Sequence, residues 1–126
     1  MLHQLQTMNK RYGFLFLISC FCSIILLAQE TENDKYSLLQ QAREAFQLKQ
    51  YAASEEILKL AIHKYPNNIS YRIELAQEYR ALNMLQSSSK ILEKTLQDKL
   101  NSKEVYLLLS DNYYRKGAYR IALRTI

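Results

Sequence analysis

The sequence predicts an all-α protein built from repeated pairs of antiparallel helices, and three observations carry that expectation. The 126-residue chain holds only two Gly and one Pro, too few for the tight turns of sheets and α/β folds, whereas Leu, Ala, Gln, Glu, Lys and Arg are abundant and favour helix. Beyond residue 35, residue types recur at an offset of 34: Ala42, Ala76 and Ser110; Ser54, Ser88 and Ala122; Tyr51, Leu85 and Tyr119; Leu58, Leu92 and Ile126. A period of that length fits two antiparallel helices per unit, with small residues allowing close helix approach and large ones filling the gaps between units. At the same interval stand Asn33-Asp34, Asn67-Asn68 and Asn101-Ser102, whose side-chain oxygens suit the starts of helices.

The first element is an address rather than a fold. Lys10 and Arg11 precede an uncharged stretch, Tyr12 to Ala28, and Glu30, Glu32 and Asp34 follow it. Residues 1–28 therefore read as a signal sequence and 29–34 as a short linker, with Leu26-Leu27-Ala28 supplying a small residue for cleavage and Gln29 the new terminus. Starting translation at Met8 would leave these parts unchanged. Two other forms fit the same residues. An apolar run of this length spans roughly 25 Å as a helix, the lower limit for an uncleaved membrane anchor. Leu17-Ile18-Ser19-Cys20 also resembles a lipoprotein signal, although apolar residues continue to Leu27 where a polar linker is usual. In every form the basic residues stay inside. The remainder is expected outside the cytoplasm, periplasmic or associated with the cell envelope of a bacterium, and it touches membrane only through an uncleaved N-terminal segment.

Charge and cysteine usage narrow the function further. The formal charge is +5, but taking Lys10 and Arg11 from the 17 basic residues leaves 15 against 12 acidic ones. That small surplus does not predict nucleic-acid binding, which needs a clustered basic face. Both cysteines, Cys20 and Cys22, lie in the apolar stretch, so the rest of the chain has no disulfide and no thiolate ligand for a metal.

The helices follow in order, with boundaries set by the repeat: 35–48 and 51–64, then 69–82 and 85–98, then 103–116 and 119 onward. Glu104 is placed to complete a capping box from Asn101. Asn83 and Gly117 suit left-handed turns between the helices of a pair. The first unit, 35–68, supplies Leu38, Ala42, Tyr51, Ser54, Leu58, Ala61 and Pro66. The second, 69–102, supplies Leu75-Ala76, Tyr79, Asn83, Ser88 and Leu92. The third, 103–126, supplies Tyr106, Leu109-Ser110, Tyr113, Gly117, Tyr119, Ala122 and Ile126.

In these residues the chain resembles the tetratricopeptide repeat family. It departs from the family pattern at Gln41 and Ala45, at Arg72, where a large aromatic is usual, and at Leu100, where Pro is usual. The resemblance covers 35–126 and implies a right-handed α-solenoid of about two and a half repeats. The sequence stops inside the second helix of the third unit with no polar closing helix, so a longer protein or a covering partner is expected.

Chemistry is sparse. Neither a base beside a nucleophile, nor paired carboxylates, nor a metal-ligand cluster is evident, so no enzyme, cofactor or metal is expected. His63 reads as a surface residue near a helix C-terminus, and Ser87-Ser88-Ser89 as small packing residues. Asn68-Ile69-Ser70 fits a glycosylation acceptor, but Asn is favoured in that turn anyway. Tyr51, Tyr79, Tyr106, Tyr113 and Tyr119 fall on family packing slots, while Tyr114 is expected on the inner surface.

In the tetratricopeptide family the first helices line a concave groove that holds an extended peptide or a partner helix. The resemblance places Tyr36, Leu39, Arg43 and Phe46 there from the first unit, Ile73, Gln77 and Arg80 from the second, and Leu107, Asp111, Tyr114 and Arg115 from the third. Such a mixture suits a protein partner, and the three arginines suggest an acidic one. Leu39, Glu74, Glu104 and Leu108 stand where relatives that hold chaperone C-terminal carboxylates use Lys, Asn and Arg, so that ligand is not expected. The implied function is an exported interaction scaffold or, alternatively, the N-terminal extracytoplasmic module of a larger envelope protein such as an outer-membrane barrel, a sensor kinase or an enzyme. Nothing in the sequence fixes the oligomeric state.

Overall fold

The computed structural model describes Ile18, Phe21, Ile25 and residues 33–126, and the chain divides into two compact units, Met1–Ser37 and Leu38–Ile126. Ile18, Phe21 and Ile25 are helical and exposed. The other signal-sequence features, including Lys10, Arg11, Cys20, Cys22 and the cleavage point, lie outside the described residues. Among the described residues no helix is long and apolar enough to cross a membrane.

The described residues are all-helical and contain no strand. Helix α1 covers 33–47, followed by α2 (Tyr51–Lys64), α3 (Ile69–Ala81), α4 (Leu85–Gln97), α5 (Lys103–Arg115) and α6 (Tyr119–Thr125). These bounds fall within two residues of those predicted from the repeat. The caps differ in two details, the first being that Asn33 and Asp34 lie inside α1 rather than ahead of it. Asn68 accepts from the Ser70 N–H as expected, but the cap of α5 is Ser102, whose Oγ accepts from the Val105 N–H. That moves Glu104 one place too early to complete a box, and its carboxylate accepts from Gln77 instead.

The helix ends repeat as the residues do. Lys49, Asn83 and Gly117 have φ of 60°, 58° and 78°, in the left-handed region, and Lys99 joins them at 61°. Each closes its helix with the same pair of bonds. The Asn83 N–H donates to Arg80 O and the Met84 N–H to Tyr79 O. The Lys49–Gln50, Lys99–Leu100 and Gly117–Ala118 pairs do likewise, which satisfies carbonyls the helix leaves orphaned. Helix α2 ends otherwise, at Tyr65-Pro66, because Pro cannot continue a helix.

Packing runs between consecutive helices, α2 with α3, α3 with α4, α4 with α5 and α5 with α6. One core cluster joins Ala42, Leu58 and Ala61 to Tyr71, Leu75 and Tyr79 of α3. A second joins Ala76 and Leu92 to Val105 and Leu109 of α5. Half-buried Ile91 packs against both. Tyr71, the largest fully buried side chain, stacks on Tyr65 with ring centroids 6.1 Å apart. Beside it Arg72, at the position where an aromatic was expected, is buried. It donates to Asp98 at 2.7 Å and to the Pro66 carbonyl at 3.3 Å, tying α3 to the end of α4 and to the turn before α3.

Leu75 is buried to 1% exposure at the centre of the first cluster. Replacing it by Ala should cost about 2 to 4 kcal/mol, a large fraction of the stability of a domain this small. Thermal or urea unfolding followed by circular dichroism checks this, and an unchanged cooperative transition would place Leu75 outside the core.

Candidate partner-binding surface

One face is formed where α1, α3 and α5 meet side chain to side chain. Arg43 on α1 grips Glu74 on α3 with two bonds, Nε to Oε1 at 2.9 Å and Nη2 to Oε2 at 2.8 Å. Gln77 donates to Glu104 on α5 at 3.3 Å. Arg80 reaches across to Asp111, which also accepts from Arg115 at 2.9 Å. Five predicted groove residues, Arg43, Gln77, Arg80, Asp111 and Arg115, are thus engaged in three separate sets of bonds along this face. The arginines were read as groups aimed at an acidic partner. They are instead engaged by carboxylates of their own chain, and Arg80 is largely buried. The i, i+31 spacing of Arg43–Glu74 and Arg80–Asp111 was available in the sequence, but pairing across helices needs the register between them.

The apolar members of the predicted set divide. Leu39 and Ile73 are half-buried and pack against the first and second core clusters, so they belong in part to the interior. Half-buried Phe46 packs its ring on Tyr51 at 5.0 Å. Tyr36 is exposed within the Met1–Ser37 unit. Leu107 and Tyr114 are exposed on α5, and the Tyr114 ring meets Tyr119 edge-on at 5.2 Å.

Around them lies a groove of about 410 Å³ between α5 and α6, walled chiefly by Leu107, Tyr114, Tyr119, Ala122, Leu123 and Ile126. Tyr119, Leu123 and Ile126 are surface residues that sequence reasoning missed. Tyr119 was assigned a packing slot yet is 58% exposed, and Tyr51 and Tyr106 are each 38% exposed. Tyr79 and Tyr113 do pack as expected, because their hydroxyls reach back to Glu55 on α2 and Glu93 on α4. Burial and then the Glu93 hydrogen bond push the Tyr113 hydroxyl up to about 12. A second groove, of about 540 Å³, runs along α4 beneath Tyr79 and is bordered by Lys90, Glu93 and Lys94.

Two buried polar bridges cross between helices at equivalent positions. Asn112 Nδ2 on α5 donates to Ser88 Oγ on α4 at 2.8 Å. Thirty-four residues earlier, Ser54 Oγ on α2 lies 2.6 Å from Glu78 Oε1 on α3 and 2.8 Å from the Ala42 carbonyl. Ser54 has one proton for two acceptors. Glu78 stands at the position equivalent to Asn112, with a carboxyl in place of the amide. Burial raises Glu78 above the ordinary carboxylate range, the bond from Ser54 opposes that shift, and the nearby Glu74 and Glu55 carboxylates add to it. Glu55 itself is held below that range, first by its bond from Lys59 and then by that from Tyr79.

Among the described residues no group of three His, Cys, Asp or Glu is arranged to hold a metal ion. His63 is exposed in the last turn of α2, and Ser88 and Ser89 are buried packing residues. No protein-family model matches this chain, and no curated protein matches it either.

The sign of the Glu78 effect is definite. Its folded-state pKa is raised, so the folded protein gains stability as pH falls through that value and loses it as pH rises and the buried group ionises. Glu78→Gln keeps a donor toward Ser54 without the charge. At pH 7.5 the variant should be more stable than the natural protein by roughly 1 kcal/mol, and the gap should shrink as the pH falls to 5. Urea titrations at the two pH values check it, and a gap that widens on acidification would show Glu78 to be ionised in the fold.

Proposed function

We propose that this chain is an exported protein–protein interaction scaffold of the tetratricopeptide type, a right-handed solenoid of helix pairs that holds a segment of a partner protein against its first helices. The supporting observation is the grouping of Leu107 and Tyr114 on α5, exposed and apolar, directly beside the bonded groups of Arg43, Gln77, Arg80, Asp111 and Arg115. Exposed aromatic and aliphatic side chains provide contact area, and a rim of polar groups held in place by one another orients the partner. Arg43 and Arg115 have side chains about half exposed. A carboxylate on the partner could exchange with the internal one at little net cost, since exposed ion pairs are weak. Binding of that kind weakens with salt, while the Leu107 and Tyr114 contribution does not.

Photo-crosslinking residues introduced in place of Gln77 and Tyr114 should each trap the native partner in intact cells. The same residues in place of Lys59 and Lys94, on α2 and α4, should not. Cross-links arising only from the second-helix positions would move the binding surface to the other side.

Export rests on Lys10 and Arg11 followed by the apolar run from Tyr12 to Ala28. A reporter active only outside the cytoplasm, fused after Ile126, should therefore be active, and activity of a cytoplasm-only reporter at the same junction would overturn the assignment.

A further inference from the structure

The groove along α4 shares no residue with the first-helix face. Its volume of about 540 Å³ falls in the range of small-molecule sites, about 300 to 1,000 Å³. Tyr79 and Ile91 supply its apolar part, and Lys90 and Lys94, one turn apart on α4, supply two ammonium groups. Ser87 and Gln97 also line it, ten residues apart and therefore about 15 Å along the helix axis. The Tyr79 ring is fixed, since its hydroxyl donates to Glu55 at 2.8 Å and Glu55 is held in turn by Lys59.

The repeat does not call for this chemistry. Thirty-four residues earlier, Ala45, Glu56 and Leu60 stand in place of Tyr79, Lys90 and Lys94, while Ile57 matches Ile91. The packing residue recurs, and the lysines are not needed for helix pairs to pack. Their charges are also available. Among the described residues Lys90 has no ion-pair partner. Lys94 lies 2.8 Å from Asp98, but Asp98 is held as well by Arg72 at 2.7 Å. Lys94 can therefore turn into the groove without leaving that carboxylate unpaired. The acid on the rim, Glu93, accepts from the Tyr113 hydroxyl at 2.5 Å. Two ammonium groups against one carboxylate leave the lining with one positive charge in excess.

We infer that this groove binds a small organic acid, with a single carboxylate between Lys90 and Lys94 and an apolar body resting on Ile91 and the Tyr79 ring. The surplus of one charge matches a monoanion. A second charge on the ligand would meet Glu93 with no cation left to offset it. Because both ammonium groups face solvent, the charged part of the attraction is modest and weakens with salt, and the apolar body supplies the remainder.

Phenylbutyrate is the probe, added to the full chain and followed through the backbone amide signals of α4 by NMR. Saturable one-to-one binding is expected, with the shifts centred on Lys90 to Lys94. The uncharged amide of the same acid should bind about fivefold more weakly. The double variant Lys90→Gln, Lys94→Gln should weaken binding of the acid about fivefold and leave binding of the amide unchanged, which a loss of fold would not do. Lys103→Gln, outside the groove, should change neither. Absence of saturable binding overturns the inference, and so does equal affinity for acid and amide. Tighter binding of the dianion phenyl phosphate would sink the single-charge reading. Tighter binding of a peptide ending in a phenylalanine carboxylate would give the groove to the chain end of a partner protein instead of a free acid.

Discussion

Where Ser54 Oγ reaches the Ala42 carbonyl at 2.8 Å and Ser110 Oγ reaches that of Ala122 at 2.9 Å, the shortest hydroxyl side chain spans from one helix to the backbone of its neighbour. Such approach is open only to helices that present very small side chains at the crossing. Ala42, Ser54, Ala76, Ser88, Ser110 and Ala122 are all buried, and all lie on the 34-residue register. Their smallness fixes how near the two helices of a pair lie. That distance in turn fixes where Leu58 and Leu92 emerge to meet the following helix. A larger residue at any of these places would part the backbones and shift every contact built on the pair, which is why overpacking is costly in close-packed interiors.

The close approach also brings polar atoms inside, and at two of these places the chain meets them with a neutral side chain or an ion pair. Asn112 and Glu78 occupy equivalent positions and meet the hydroxyls of Ser88 and Ser54, one through an amide and the other through a carboxyl. A carboxyl at that position is disfavoured in its charged form by burial, which raises its pKa. Arg72 is the opposite case. Its charge is permanent, so its burial is compensated by Asp98, whose own pKa is lowered first by Lys94 and then by Arg72. The two helix pairs therefore share a shape while differing in chemistry, and departures from the repeat concentrate where polar groups are buried.

Those departures mark what was legible in the sequence and what was not. Helix positions could be read because small and large residues alternate with a fixed period, and the left-handed turns at Asn83 and Gly117 could be read because those residue types tolerate the conformation. Lys49 and Lys99 adopt it too, for no reason visible in their side chains, because the tertiary path of the chain imposes it. Tyr71 was overlooked since it stands one place before Arg72, where the repeat directs attention. The candidate surface was legible only in membership. The positions of Arg43, Arg80 and Asp111 on one face follow from helical spacing. Their bonds to one another follow from the offset between helices, which no local pattern encodes.

That offset separates two kinds of surface. Along the first helices, charged side chains join α1 to α3 and α3 to α5, so much of their hydrogen-bonding capacity is spent inside the molecule. On α6 the exposed groups include the apolar Ile121, Leu123 and Ile126 with Tyr119, interleaved with Arg120 and Arg124. The difference has a thermodynamic consequence. A ligand that exchanges one carboxylate for another along these bonds gains little and leaves the fold as it was. Contact with the exposed Leu107 and Tyr114 instead buries apolar area, and that contribution has no internal partner to displace.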